Sequence, residues 1–295
     1  MKKLISFLLV LVLTGLFISG CDSSINQGPE SDATLSKVDL KKQRLNPPSI
    51  TKEMCKLRPG WKALGYKNLG QCIQYAETGI GRSPTVRDID GNIYPIVKIG
   101  NQWWMAENLR TTHYANGDPI ATNLDNDDWF TTEMGAYAIY SHTRDGVEGI
   151  ETDEEMLAAY GALYNWHAVK DPRRICPKGW HVPTLEEWQI LLDYLEVDRI
   201  GTELKSTRIA PDPHPRWNSS CGSSHATNEA GFSAFPAGYR YQAGPFEDFG
   251  RIAFWWTSTK AESGVAWDIF INCSDQCTYS DTPRNNGFSV RCVMD

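Results

Sequence analysis

Residues 176–195 read CPKGWHVPTLEEWQILLDYL, and the second half of this stretch is a helix with its start written in. Thr184 puts a hydroxyl at the N-cap and Glu187 puts a carboxylate three positions on, the reciprocal capping box, while Trp188, Leu191, Leu192 and Leu195 recur at helical spacing behind it. The helix stops before Gly201. Upstream, Thr152-Asp153-Glu154-Glu155 repeats the device, and Met156, Tyr160, Leu163, Tyr164 and His167 predict a second helix running through His167. Around these two helices the pattern is strand-like. Asp88 to Asn92 is a hairpin turn with Asp-Gly supplying positive φ, Ile93 to Ile99 continues as a strand, and Gly100-Asn101 turns the chain into Gln102 to Met105. After the Thr184 helix only strand-like pieces remain: Phe232 to Phe235, Arg251 to Thr259, Val265 to Ile271 and Phe288 to Val293. Two main helices with antiparallel strands and long loops describe an α+β domain.

The whole chain has 295 residues, 41% hydrophobic and 22% charged, with a formal net charge of -7. That composition excludes a disordered chain and a multi-span membrane protein, and the acidic balance argues against nucleic acid as a partner. Eight Cys and eleven Trp are unusual for one chain. The N-terminus, MKKLISFLLVLVLTGLFISGC, has two lysines, a short apolar run and then Cys21, so residues 1–20 read as a signal peptide. Its ending resembles the bacterial lipobox, which makes Cys21 the site of diacylglycerol and palmitate attachment and the membrane the first expected partner. Cleavage there leaves 27 basic against 36 acidic residues. The expected location is the cell envelope, with the outer membrane or cell surface favoured over the inner membrane. Residues 21–49 carry no aromatic residue and end near Pro47-Pro48, a flexible tether of about 30 Å. An exported chain meets an oxidising compartment, so its remaining cysteines read first as disulfides.

Residues 50–83 form a small cysteine-bounded module. Cys55 and Cys72 are the expected bridge, contributing on the order of 3 kcal/mol in the chain-entropy model to a piece with only Trp61, Leu64, Tyr66 and Ile73 to bury. Asn68 can cap the helix through Cys72, Ile73 and Tyr75. Its charges and hydroxyls form no convergent set, so it reads as a spacer rather than a docking unit.

Residues 84–295 form the main domain. The segments DIDGNIYPIVKIGNQWWMAENLRTTHYANGDPI, YGALYNWHAV, CPKGWHVPTLEEWQILLDYL, TNEAGFSAFPAGYRY, FWWTST and GFSVRCVMD, in this order, resemble the Fibrobacter succinogenes major paralogous domain. The resemblance implies a C-type-lectin-like fold, distantly similar to sulfatase-modifying factors, on an exported lipoprotein. It also implies a bridge from Cys176 to Cys292. Cys221, Cys273 and Cys277 are then left over, as a loop disulfide plus one thiol or as a thiol pair. Sulfatase-modifying oxygenases hold Cu(I) between two cysteines near a similar C-terminal segment, so Cys273 and Cys277 raise a copper-dependent, formylglycine-generating alternative. The spacing differs, and a disulfide is favoured.

No other catalytic or metal set is expected. Asn123 to Asp128 offers oxygen ligands, but counting from Asp125 puts Phe130 and Ala136 where a calcium loop needs Gly and Glu, so calcium has no supporting motif and the cofactor expectation is none. The six His, including His167 and His225, form no ligand pattern. Glu186 and Glu187 serve the helix start. Aromatic side chains are the best binding hint: Trp255 and Trp256 must face opposite sides of a strand, so one of the two is expected in solvent, and Trp129, Tyr239 and Tyr241 lie near loops. The expected function is noncatalytic binding of a polysaccharide or a surface protein, with a purely structural envelope role as a further alternative.

Overall fold

A computed structural model of the chain describes residues 52–56, 62, 64–78, 84–144, 147–195, 199–221 and 226–295. The signal peptide, Cys21, the tether, Trp61 and His225 lie outside the described residues.

The N-terminal module contributes α1 (Lys52–Lys56) and α2 (Leu69–Thr78), joined by a Cys55–Cys72 disulfide. Asn68 does cap α2, its side chain accepting from the Gln71 N–H at 2.9 Å. Among its described residues, the module shares its core with the main domain. Cys55, Leu64, Tyr66 and Cys72 are buried in one cluster with Val86 and Tyr94 of the main domain, and the Thr85 N–H donates to the Leu64 carbonyl at 3.0 Å. So few apolar side chains cannot close a core alone, and they borrow the edge of the neighbouring sheet.

That sheet begins with β1 (Thr85–Arg87), β2 (Ile93–Ile99) and β3 (Gln102–Met105), all antiparallel. Asp88 holds the first turn by accepting from the Asn92 backbone and side chain, both at 2.8 Å, and Gly91 takes φ 87°. Next come α3 (Asn126–Thr131), β4 (Tyr137–Ala138), α4 (Asp153–Tyr160), β5 (Leu163–Tyr164), α5 (Trp166–Lys170), β6 (Trp180–His181), α6 (Leu185–Tyr194) and α7 (Ile200–Leu204). Two-residue strands β7 (Tyr239–Arg240) and β8 (Phe246–Glu247) precede β9 (Ala253–Lys260), β10 (Val265–Ile271), β11 (Cys277–Pro283) and β12 (Val293–Met294). The C-terminal β12 slots between β3 and β6, with Val293 opposite both Trp104 and His181, to complete a five-stranded sheet. Strands β9, β10 and β11 form a second antiparallel sheet with β10 in the middle. The architecture is α+β.

The capping box at Thr184 and Glu187 is present on both sides, and α6 follows it. The helix expected from Thr152 to His167 is not continuous. It ends at Gly161, where φ is 80° and a Cβ would stand 2.7 Å from that of Asn108. Leu163 and Tyr164 then pair with Ala138 and Tyr137, and Asn165 opens the separate α5 by accepting from the Ala168 N–H. The apolar spacing ran on through the break although the pieces bury into separate clusters, Met156 and Tyr160 with Phe235 and Phe249, Trp166 and Val169 with Tyr164 and Phe288. Phe232 to Phe235 is not a strand either; Ala234 makes an isolated bridge to Lys205, just past the end of α7. Phe288 to Val293 makes single bridges to Tyr164 and Trp255 before the short ladder of β12. Strand β11 was unforeseen, since its polar run CTYSDTP carries little apolar signal.

Three disulfides tie these parts together: Cys55–Cys72, Cys176–Cys292 and Cys221–Cys273. The second closes 116 residues and pins the loop ahead of β6 to the last strand. Arg291, adjacent to Cys292, is wholly buried and donates to Asn108 Oδ1 and to the carbonyls of Phe232 and Ser233, with its guanidinium 4.1 Å over the Phe232 ring. Burial lowers its pKa to about 9, so it stays charged at neutral pH and crosslinks three segments.

Candidate functional site

The aromatic expectation is corrected first. Trp255 and Trp256 do face opposite sides of β9, but both are 0% exposed, because a core lies on each side. Trp256 packs on Phe288 at 4.5 Å and donates to the Tyr164 carbonyl, while Trp255 sits between Trp188 and Phe232 and donates to Asn108. Trp103 and Trp104 divide between the same two clusters. Trp129 is also 0% exposed, under the Arg240 guanidinium at 4.3 Å and donating to the Asn285 carbonyl. Tyr239 packs edge-on against Phe254 and Phe288 and donates to Glu247. Of the five stacking candidates only Tyr241, 38% exposed, presents a large face to solvent. Sequence reading missed an aromatic pair of half-buried Trp267 and exposed Tyr279, 5.6 Å apart on neighbouring strands β10 and β11.

The leftover cysteines resolve into a Cys221–Cys273 bridge, with the buried Cys277 outside the three disulfides. Cys273 is bridged to Cys221 here rather than standing beside Cys277 as a thiol pair. Asp125 is the N-cap of α3 and accepts from the Asp128 N–H at 2.8 Å, so this carboxylate of the acidic loop is spent on the helix start. His167 shares a hydrogen bond with Asn285 at 3.1 Å. Among the described residues no three His, Cys, Asp or Glu side chains are grouped as metal ligands.

What the structure does bring together is a cleft of about 640 Å³ beside β6. The end of α5 and the loop after it supply Lys170, Asp171 and Arg174; β6 supplies Trp180 and His181; Ser258 and the C-terminal Asp295 close the rim. Ile175, Val182 and the buried Cys176 make the apolar part of the wall. The Cys176–Cys292 bridge holds the two chain segments that frame it. Trp180 is 1% exposed and its indole N–H has no hydrogen-bond partner.

His181 organises one side of the cleft. Its Nδ1 lies 2.7 Å from Asp295 Oδ1 and its Nε2 lies 2.8 Å from Glu187 Oε1. Burial opposes the charged ring, but hydrogen bonds to Asp295 and Glu187 outweigh it and raise the pKa above the ordinary histidine value. With a carboxylate against each ring nitrogen, His181 clamps Asp295 to the start of α6. Glu187 thus serves the α6 cap and the cleft at once. The cleft sets the cations Lys170 and Arg174, the anions Asp171 and Asp295 and the Ser258 hydroxyl around an apolar wall.

Fold and cleft together define an α+β, disulfide-tied domain. The chain matches the family described as the Fibrobacter succinogenes major domain over residues 97–294 and belongs to it. No match was found among curated proteins or among solved structures.

Proposed function

We propose that this protein is a lipid-anchored envelope lipoprotein, at the outer membrane or cell surface, whose domain binds an envelope polysaccharide noncovalently, a surface protein being the other occupant considered. A C-type-lectin-like fold is the finer reading of the domain, supported by its two main helices, its antiparallel sheets and the bridge from the loop ahead of α6 to the last strand. Three disulfides support export to an oxidising compartment. The observation that carries the binding role is the cleft beside β6, where an apolar wall meets Lys170, Arg174, His181 and Asp295 at the rim. Sugars present an apolar ring face edged with hydroxyls, and such a wall and rim match both parts.

The test is titration calorimetry against a panel of purified envelope polysaccharides, with binding expected for the wild type. Arg174→Ala and Lys170→Ala, each removing a charged donor, should each weaken that binding about tenfold. Binding that is absent across the panel, or that both variants retain in full, defeats the assignment. Anchoring is tested separately by treating cells with globomycin, which should block processing at Cys21.

A further inference from the structure

A second cleft, of about 360 Å³, lies where the N-terminal module meets β1. Its described wall contains Lys62 and Tyr66 from the module, Arg87 from β1 and Lys178 from the turn ahead of β6, and no carboxylate. This is unexpected in a chain of net charge -7. The local sequence explains it: from Met54 to Ala76 there are four basic residues, Lys56, Arg58, Lys62 and Lys67, and no Asp or Glu. Asp88, on the turn after β1, is not in the described wall and is occupied by Asn92 and by the Tyr94 hydroxyl at 2.6 Å. Lys62, Arg87 and Lys178 thus stand around one concavity whose described wall carries no carboxylate.

The site is also built rather than incidental. Arg87 Nη1 donates to the Gly91 carbonyl at 2.8 Å, which fixes the guanidinium and leaves further N–H donors. Lys178 stands in a turn held by the Cys176–Cys292 bridge. Gly65, at φ 74°, lets the module backbone press on β1, since a Cβ there would stand 2.3 Å from Thr85 Oγ1. Tyr66, 6% exposed, carries a hydroxyl with no hydrogen-bond partner. Burial pushes the Tyr66 pKa up, so this group persists as a neutral donor. An unpaired buried donor in a cationic wall needs an acceptor, and an oxyanion supplies several.

We propose that this cleft binds a tetrahedral oxyanion, a phosphate or sulfate ester, at the junction of the module and the domain. The module then has a role beyond spacing, because it contributes Lys62 and Tyr66 to a site that neither part completes alone.

The experiment is calorimetry and thermal melting of the full chain with inorganic phosphate and inorganic sulfate, then with glucose 6-phosphate and with glycerophosphoglycerol, the soluble form of an anionic lipid headgroup. Saturable binding of inorganic phosphate is expected, and whichever ester binds more tightly identifies a glycan or a lipid source. Lys178→Gln and Arg87→Gln should each weaken phosphate binding about five- to tenfold. Tyr66→Phe should weaken it about threefold while leaving the melting temperature of the free protein unchanged or higher, since an unpaired hydroxyl is removed. Arg174→Ala, in the other cleft, should leave phosphate binding unchanged, which separates this site from the polysaccharide reading. Absence of phosphate binding, or binding that survives Lys178→Gln, Arg87→Gln and Tyr66→Phe alike, overturns the proposal.

Discussion

Strands β9 and β11 flank the same central strand β10, yet β9 buries consecutive tryptophans while β11 turns Tyr279 and Asp281 to solvent. Side chains alternate on both strands as the pleat requires. The difference lies beyond the sheet. On one side of β9 stand α6, Phe232 and Trp104, on the other Tyr164, Trp166 and Phe288, so either direction leads into a core. β11 is an edge strand whose inward positions are hydroxyls, with Ser280 and Thr282 donating to the buried Asp268 of β10. Alternation states which residues share a face; only the layers stacked on the sheet decide whether that face is wet.

The sharpest way to break this contrast is truncation on β9. Trp255→Ala or Trp256→Ala should each cost about 3–5 kcal/mol in urea unfolding, because each removes a fully buried indole and leaves a cavity. A loss under about 1 kcal/mol in both would mean that one indole is solvated in solution.

The next effect concerns the carboxylate between the strands. Burial raises the pKa of Asp268 to about 8, with the Ser280 and Thr282 hydrogen bonds opposing the shift. The folded chain therefore holds a proton that the unfolded chain releases near pH 4. Stability from this group is complete below the unfolded value and is lost as pH rises toward about 8. Asp268→Asn keeps the shape without the charge, and at pH 9 it should be more stable than wild type by on the order of 2 kcal/mol, with the gap closing at pH 4. Equal stabilities at both pH values would show that Asp268 ionises in contact with water.

The smallest effect belongs to the exposed side of β11. Tyr279→Ala should change stability by less than about 1 kcal/mol, because the ring is already 37% exposed and loses little beyond its contact with Trp267. A cost matching the β9 variants would reveal a covering layer over this edge.

Much of the framework was legible in the residues. The Thr184 and Glu187 capping box, the Asp88 to Asn92 turn and the Asn68 cap rest on contacts within a few positions, and they form as the local pattern indicates, as does strand Val265 to Ile271. The apolar period failed at Gly161, where contact with Asn108, 53 positions earlier in the chain, demands a turn that periodicity does not encode. The candidate clefts were less visible. His181 becomes a clamp only because the C-terminal Asp295 arrives beside it through strand pairing, and the module's basic residues looked scattered until Lys178 and Arg87 stood across from them. A local excess of cations over Met54 to Ala76 was the one available signal.

By itself, then, the sequence determined the helix starts, the tight turns, the alternation of β9 and β10, the family and the compositional class, because these depend on neighbours along the chain. The tertiary structure decided which tryptophans are dry, that Cys221 pairs with Cys273, and where charges gather into clefts. Those outcomes depend on residues scores of positions apart meeting in space, and burial, bridging and field strength are properties of that meeting.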